Sequence, residues 1–71
     1  MNSILILENL TPGQKVKYVR LSLGLRQIDL ASQARIQPIE ITRLEHDRYV
    51  KPTIRKRILA VLGLDDGSKI D

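Results

Sequence analysis

The stretch "LGLRQIDLASQARIQPIEITRLE", residues 23–45, decides the fold because it carries two short helical patterns joined by three residues. The patterns predict one helix over 26–34 and another over 38–46. Pro38 suits the first position of a helix, where no intrahelical bond is lost, so Gln37 is its N-cap or a linker residue. The pair predicts a helix-turn-helix, although an αα-hairpin inside any small bundle has the same spacing. The apolar residues on one face are Leu30, Ala31 and Ala34 in the first of these helices, and Ile41 and Leu44 in the second.

A longer helix is predicted before this stretch, over 12–22. Thr11 is a suitable N-cap, Pro12 fits the first helical position, and Gln14 completes a capping box with Thr11. Gly24 follows the last turn, where glycine commonly ends a helix. The residues expected on the inward face are Val16, Val19, Arg20 and Leu23.

A fourth helix is predicted after the loop "HDRYVKP", over 54–62. Thr53 is its expected N-cap, because a threonine hydroxyl accepts a hydrogen bond from the free backbone N–H groups of a first turn. Gly63 is expected to end it. The residues expected to face inward are Ile54, Ile58, Leu59 and Leu62.

The two ends of the chain are expected to lie outside this helical domain, which spans 11–64. Residues 1–10 are predicted to form a short extended segment that contains the apolar run "ILIL". That segment either covers the core or pairs as a strand with a second copy of the chain. Residues 65–71, "DDGSKID", are predicted to be a polar tail.

Composition narrows the classes of function. The chain has 71 residues, enough for one small domain, and it has no cysteine, which excludes disulfides and thiolate metal sites. His46, the single histidine, cannot form a zinc site alone. With no clustered carboxylates and no glycine loop for phosphate, we expect neither an enzyme nor a metal or cofactor. The longest apolar run is too short to span a membrane, so we expect a cytoplasmic chain.

The charge distribution is uneven. Residues 11–64 contain eleven Lys or Arg and four Asp or Glu, a balance of +7, whereas residues 65–71 have a balance of −2. Such an excess is typical of a protein that binds a polyanion or an acidic partner. A basic surface that only keeps the protein in solution is the alternative.

Several short motifs occur in a fixed order along the chain. They are Gly24, Leu25 and Gln27 at the opening of the second helix, Leu30 and Ala31 within it, Ile41 and Glu45 in the third, Arg48, Lys51 and Pro52 in the basic loop, and "LGL" at 62–64. Together these motifs resemble the phage repressor and Cro-type family, also called the xenobiotic-response-element-like family of transcriptional regulators. The resemblance covers residues 12–64.

The resemblance implies an all-α fold: a compact lambda-repressor-like domain of four helices, or five if the C-terminal residues formed another. It also implies that Arg20 and Glu45 form a partly buried ion pair; the alternative is two unrelated surface charges. The family often has glycine in the turn where this chain has Arg35. Arg35 can form the turn with a negative φ, or with some strain if φ is positive.

The implied function is sequence-specific binding of double-stranded DNA in the major groove by a small transcriptional regulator, a repressor that acts as a homodimer. Arg43 can donate two hydrogen bonds to a guanine, whereas Ile39 can make only apolar contact, as with a thymine methyl. The rival interpretation is an antitoxin or protein-interaction module with the same fold. The positions that match base readers are Gln37, Pro38, Ile39, Thr42 and Arg43, and those expected at phosphates are Gln27, Arg26, Arg48 and Lys51.

Overall fold

A computed structural model describes residues 9–64, and within them the chain forms four α-helices and no strand. The expectation of an all-α fold is therefore confirmed for this part of the chain. The extended segment predicted over 1–10, apart from Asn9 and Leu10, and the tail predicted over 65–71 lie outside the described residues. The helices are α1 (Pro12–Ser22), α2 (Gln27–Ala34), α3 (Pro38–Glu45) and α4 (Pro52–Leu62).

Proline marks the start of three of the four helices, since Pro12, Pro38 and Pro52 each begin one. The capping box predicted for α1 is present: Thr11 Oγ1 accepts from the Gln14 N–H at 3.1 Å, and the Thr11 N–H donates to Gln14 Oε1 at 2.9 Å. Gln37 is the N-cap of α3. These starts follow from the fixed φ of proline, which suits a first helical turn.

One predicted boundary was wrong, and two others differ from the structure by a single residue. The fourth helix begins at Pro52 rather than residue 54, so Lys51 is its N-cap and Thr53 lies inside the first turn. The ring of Pro52 favours the first helical position, just as that of Pro38 does. The second helix begins one residue later than predicted, with Arg26 as N-cap, and the third ends at Glu45, with His46 as C-cap.

Each helix ends with a residue in the left-handed region: Gly24 and Gly63 with φ 72°, Arg35 with φ 60° and Asp47 with φ 58°. The following N–H then bonds back to a carbonyl in the last turn, as Ile36 does to Ala31 O at 3.0 Å. This is the Schellman arrangement. The turn between α2 and α3 therefore uses the strained option at Arg35, which costs about 1–2 kcal/mol for a residue with a Cβ.

The core lies where all four helices meet. Leu30, Ile41 and Ile58 are fully buried and come from α2, α3 and α4. Leu23 was expected to face inward but is 55% exposed; it is the C-cap of α1, so its side chain leaves the helical face, and Leu25 packs against the core instead. The buried apolar residues are Val16, Leu30, Ala31, Ala34, Ile41, Leu44, Val50, Ile58 and Leu62.

The start of α1 lies directly against the end of α3. A Cβ at Gly13 would overlap the Leu44 carbonyl oxygen and stand 2.8 Å from the Glu45 carbonyl oxygen. Asp47, just past α3, accepts from the Gly13 N–H at 2.8 Å and from Thr11 Oγ1 at 2.6 Å. Its carboxylate therefore caps α1, whose first turn contains no acidic residue.

None of the helices in residues 9–64 is long and apolar enough to cross a membrane.

Candidate nucleic-acid interface

Helix α3 has one face in the core and one in solvent. Ile41 and Leu44 are buried against the other helices, and Glu45 is buried at 5% exposure. Ile39 and Arg43, one turn apart, point the other way, and Ile39 is 51% exposed. The spacing follows from the helical period, which places residues four apart on the same face. The arrangement leaves the outward side chains of α3 free to contact another molecule.

Arg20 and Glu45, the pair that the resemblance implied, are in direct contact. Arg20 donates from Nε to Glu45 Oε2 at 2.5 Å and from Nη2 to Oε1 at 3.2 Å, and both side chains are buried. Its third bond, from Nη1, goes to the Leu25 carbonyl oxygen at 2.8 Å. One guanidinium thus links α1, the connection to α2 and the end of α3, and the two charges compensate each other out of water.

Gln27 extends this network towards the surface. Its Nε2 donates to Glu45 Oε1 at 3.0 Å, and its Oε1 accepts from Thr42 Oγ1 at 3.3 Å. The amide orientation is fixed, because only the NH₂ group can face a carboxylate. Thr42, predicted to read a base, is half-buried and bonded to Gln27. Gln27, predicted to bind a phosphate, therefore has one side-chain N–H left to donate, besides its backbone N–H at the start of α2.

Arg26 has a carboxylate partner that sequence reasoning missed. It donates from Nε and Nη2 to Asp29, each at 2.9 Å, and its backbone N–H donates to the same carboxylate at 2.8 Å. The Arg26 side chain and then its N–H lower the pKa of Asp29 from 3.8 to about 2. Asp29 thus supplies a negative charge at the start of α2, the place where an incoming phosphate would bind. The signal was the Arg-x-x-Asp spacing, in which the carboxylate at the third helical position can accept from the backbone N–H of the N-cap, as in one half of a capping box.

Arg43 is tethered along its own helix. Its Nη1 lies 3.4 Å from Glu40 Oε1, with half of the Arg43 side chain in solvent. Glu40 is the more buried partner, with 19% of its side chain exposed. A single contact of this length to a half-exposed arginine contributes at most about 1 kcal/mol, so a stronger acceptor can recruit the guanidinium. Arg43 is therefore available to a guanine edge or a phosphate at small cost.

A shallow groove runs along the outward side of α3. Tyr49, which the sequence reasoning did not single out as a site residue, is 79% exposed beside it. His46 directs Nδ1 at the Thr42 carbonyl oxygen at 2.8 Å, so Nδ1 carries the proton and donates. The residues that line the groove are Ile39, Thr42, Arg43, His46, Arg48 and Tyr49.

Arg48 and Lys51, both predicted phosphate contacts, are exposed in the loop and its junction with α4. Within residues 9–64, the cations in ion pairs are Arg20, Arg26 and Arg43. The other eight make no ion pair with a described residue, so the excess positive charge is available to solvent and to ligands. They are Lys15, Lys17, Arg35, Arg48, Lys51, Arg55, Lys56 and Arg57.

Among the described residues, no group of three His, Asp or Glu side chains is placed to bind a metal ion. Comparison of the chain with protein-family models, with curated proteins and with solved structures finds no match.

Proposed function

We propose that the protein is a lambda-repressor-like helix-turn-helix regulator that binds double-stranded DNA by placing α3 in the major groove. It acts as a repressor in the cytoplasm, as a binding protein rather than an enzyme. The observation that carries the proposal is the division of α3 into a fixed inner face and a free outer face. Glu45 is bonded to Arg20 and Gln27, whereas Ile39 and Arg43 project away from the core.

The dimensions of α3 favour this use. With its side chains an α-helix such as α3 is about 10–12 Å across, which fits a major groove about 12 Å wide. In helix-turn-helix proteins the N-terminal residues of the second helix contact base edges. In this chain those residues are Gln37, Pro38 and Ile39, followed one turn later by Arg43.

The charge supports the same ligand. Arg48 and Lys51 lie in the segment that follows α3, and neither is neutralised by a carboxylate among residues 9–64. Cations in such positions bind phosphates, release counterions and make the affinity fall with salt. One α3 reads only a few base pairs, so we propose a homodimer on two half-sites about one helical turn apart.

The test measures binding of the full chain to random duplex DNA over a range of salt concentrations, followed by selection of preferred sequences. We expect a steep fall in affinity with salt. For Lys51→Ala we expect uniform weakening on all sequences and a salt slope smaller by about 1. For Arg43→Ala we expect a loss of about 1–3 kcal/mol on the selected site and relaxed specificity at one position.

Lys56→Ala is the matched control, because Lys56 is an exposed cation on α4 that we expect to remain in solvent. A salt slope of zero for the wild-type chain contradicts the proposal. So does an Arg43→Ala variant that, like Lys51→Ala, loses as much affinity for random DNA as for the selected site.

The protein-interaction module is the second candidate, and the groove beside α3 favours it. Ile39 and Tyr49 expose carbon surface there, and apolar groups of this kind are common at protein interfaces. Binding of the chain to a protein in the absence of DNA, with an affinity that does not change with salt, supports this candidate.

A further inference from the structure

We propose that Ile39 makes the protein select a thymine, by contact with the C5 methyl group, close to a guanine bound by Arg43. The inference rests on the proposed function, since it names the bases that the outer face of α3 reads. It makes Ile39 a specificity-determining residue rather than a spare apolar residue on the surface.

Ile39 does not contribute to the packing of the core. Half of the residue is in solvent, and it belongs neither to the core cluster nor to the apolar residues packed against that cluster. Its neighbours along the groove are polar or charged, apart from the ring of Tyr49. A β-branched residue also forms helix less readily than alanine, so stability does not account for an isoleucine here.

The side chains at the start of α3 limit which groups of a base pair they can recognise. Pro38 and Ile39 have no side-chain donor or acceptor, so of the residues at the start of α3 only Gln37, the N-cap, can read a base through side-chain hydrogen bonds. In the major groove, the thymine methyl is the apolar group by which base pairs differ. An exposed branched carbon side chain at the groove-facing start of a helix therefore discriminates in favour of thymine.

The spacing of Ile39 and Arg43 limits how far the guanine can lie from the thymine. Ile39 and Arg43 are four residues apart on one face, about 6 Å along the helix axis. Base pairs rise about 3.4 Å along the DNA axis, so even with α3 parallel to that axis a thymine at Ile39 and a guanine at Arg43 lie no more than about two base pairs from each other. Arg43 reaches the guanine because Glu40 restrains it only across 3.4 Å at an exposed position.

The test replaces thymine by deoxyuridine, one position at a time, in the preferred site selected for the full chain. The exchange removes one methyl group and keeps Watson–Crick pairing. We expect one thymine in each half-site to lie within about two base pairs of an essential guanine. Exchange of that thymine should weaken wild-type binding about three- to fivefold. In Ile39→Ala the same exchange should change affinity less than about 1.5-fold, because the partner of the methyl is gone.

Ile28→Ala is the matched control: Ile28 lies on α2 and is exposed to a similar degree, 56% against 51%. This variant should keep the full deoxyuridine effect. Both substitutions lie at exposed helical positions where alanine is favourable, and thermal melts will verify that both variants fold.

The outcomes separate the inference from the proposed function. Suppose that binding is salt-dependent and sequence-selective, but no deoxyuridine exchange weakens it, or the exchange weakens wild type and Ile39→Ala equally. Either result overturns the inference and leaves the proposed function standing. Absence of binding to duplex DNA overturns both.

Discussion

The net contribution of the Arg20–Glu45 pair to the free energy of unfolding should be far smaller than the loss caused by removing either partner alone. Arg20→Met leaves Glu45 at 5% exposure with Gln27 as its remaining side-chain partner, and Glu45→Leu leaves the guanidinium at 6% exposure with only the Leu25 carbonyl oxygen. Each single change leaves one buried charge without its partner and should lower the free energy of unfolding by about 3–5 kcal/mol. Replacing both by apolar side chains removes both charges, so the double variant should lie within about 1 kcal/mol of wild type.

Thermal unfolding followed by circular dichroism measures this cycle. For a domain of this size, a loss of about 3 kcal/mol lowers Tm by at least about 12 °C. Since total stability is only about 4–10 kcal/mol, the single variants should be measured with a stabilising osmolyte present throughout. If the Tm loss of Arg20→Met/Glu45→Leu equals the sum of the single losses, the two charges act independently and the reasoning is refuted.

Three further changes test other contacts. Gly13→Ala should destabilise by about 1–3 kcal/mol in urea unfolding, because overlap with the Leu44 carbonyl oxygen outweighs a helix-propensity gain of about 1 kcal/mol; unchanged stability would contradict the close approach. Arg35→Gly should raise the free energy of unfolding by up to about 1 kcal/mol and so raise Tm, since glycine adopts φ 60° without strain. Arg35→Ala keeps a Cβ and should leave Tm unchanged. The pKa of Asp29 is about 2 when folded and 3.8 as a free side chain, so its contribution is full above about pH 4 and is lost as pH falls to about 2. Asp29→Asn should therefore lose less Tm than wild type between pH 4 and pH 2, and equal losses would count against the contact with Arg26.

The parts of the fold that depend on neighbouring residues could be predicted from the sequence. The capping box of Thr11 with Gln14 and the start of α3 at Pro38 are set by residues within one turn, so the local pattern contains the whole signal. The same rule applied to Pro52 would have given the correct start of α4. Thr53 has a residue type that is usual for an N-cap, but Pro52 before it fixes an earlier start of α4.

The contacts that join distant residues could not be predicted in this way. Asp47 reaches Thr11 and Gly13 across more than thirty residues, and nothing in the loop around Asp47 indicates that partner. The interaction of Gln27 with Glu45 depends on how α2 and α3 approach each other. The sign of φ at Arg35 is likewise set by the direction in which Ile36 must return to the core.

Asp47 and Glu45 join the end of α3 to α1 on two sides. A helix restrained in this way has its direction set before any ligand arrives, so little backbone freedom remains to be lost on association. The entropy of binding should then come mainly from the ends of a few outward side chains and from released water and ions. Different outward residues could therefore be exchanged to read different ligands while the geometry of approach stays the same.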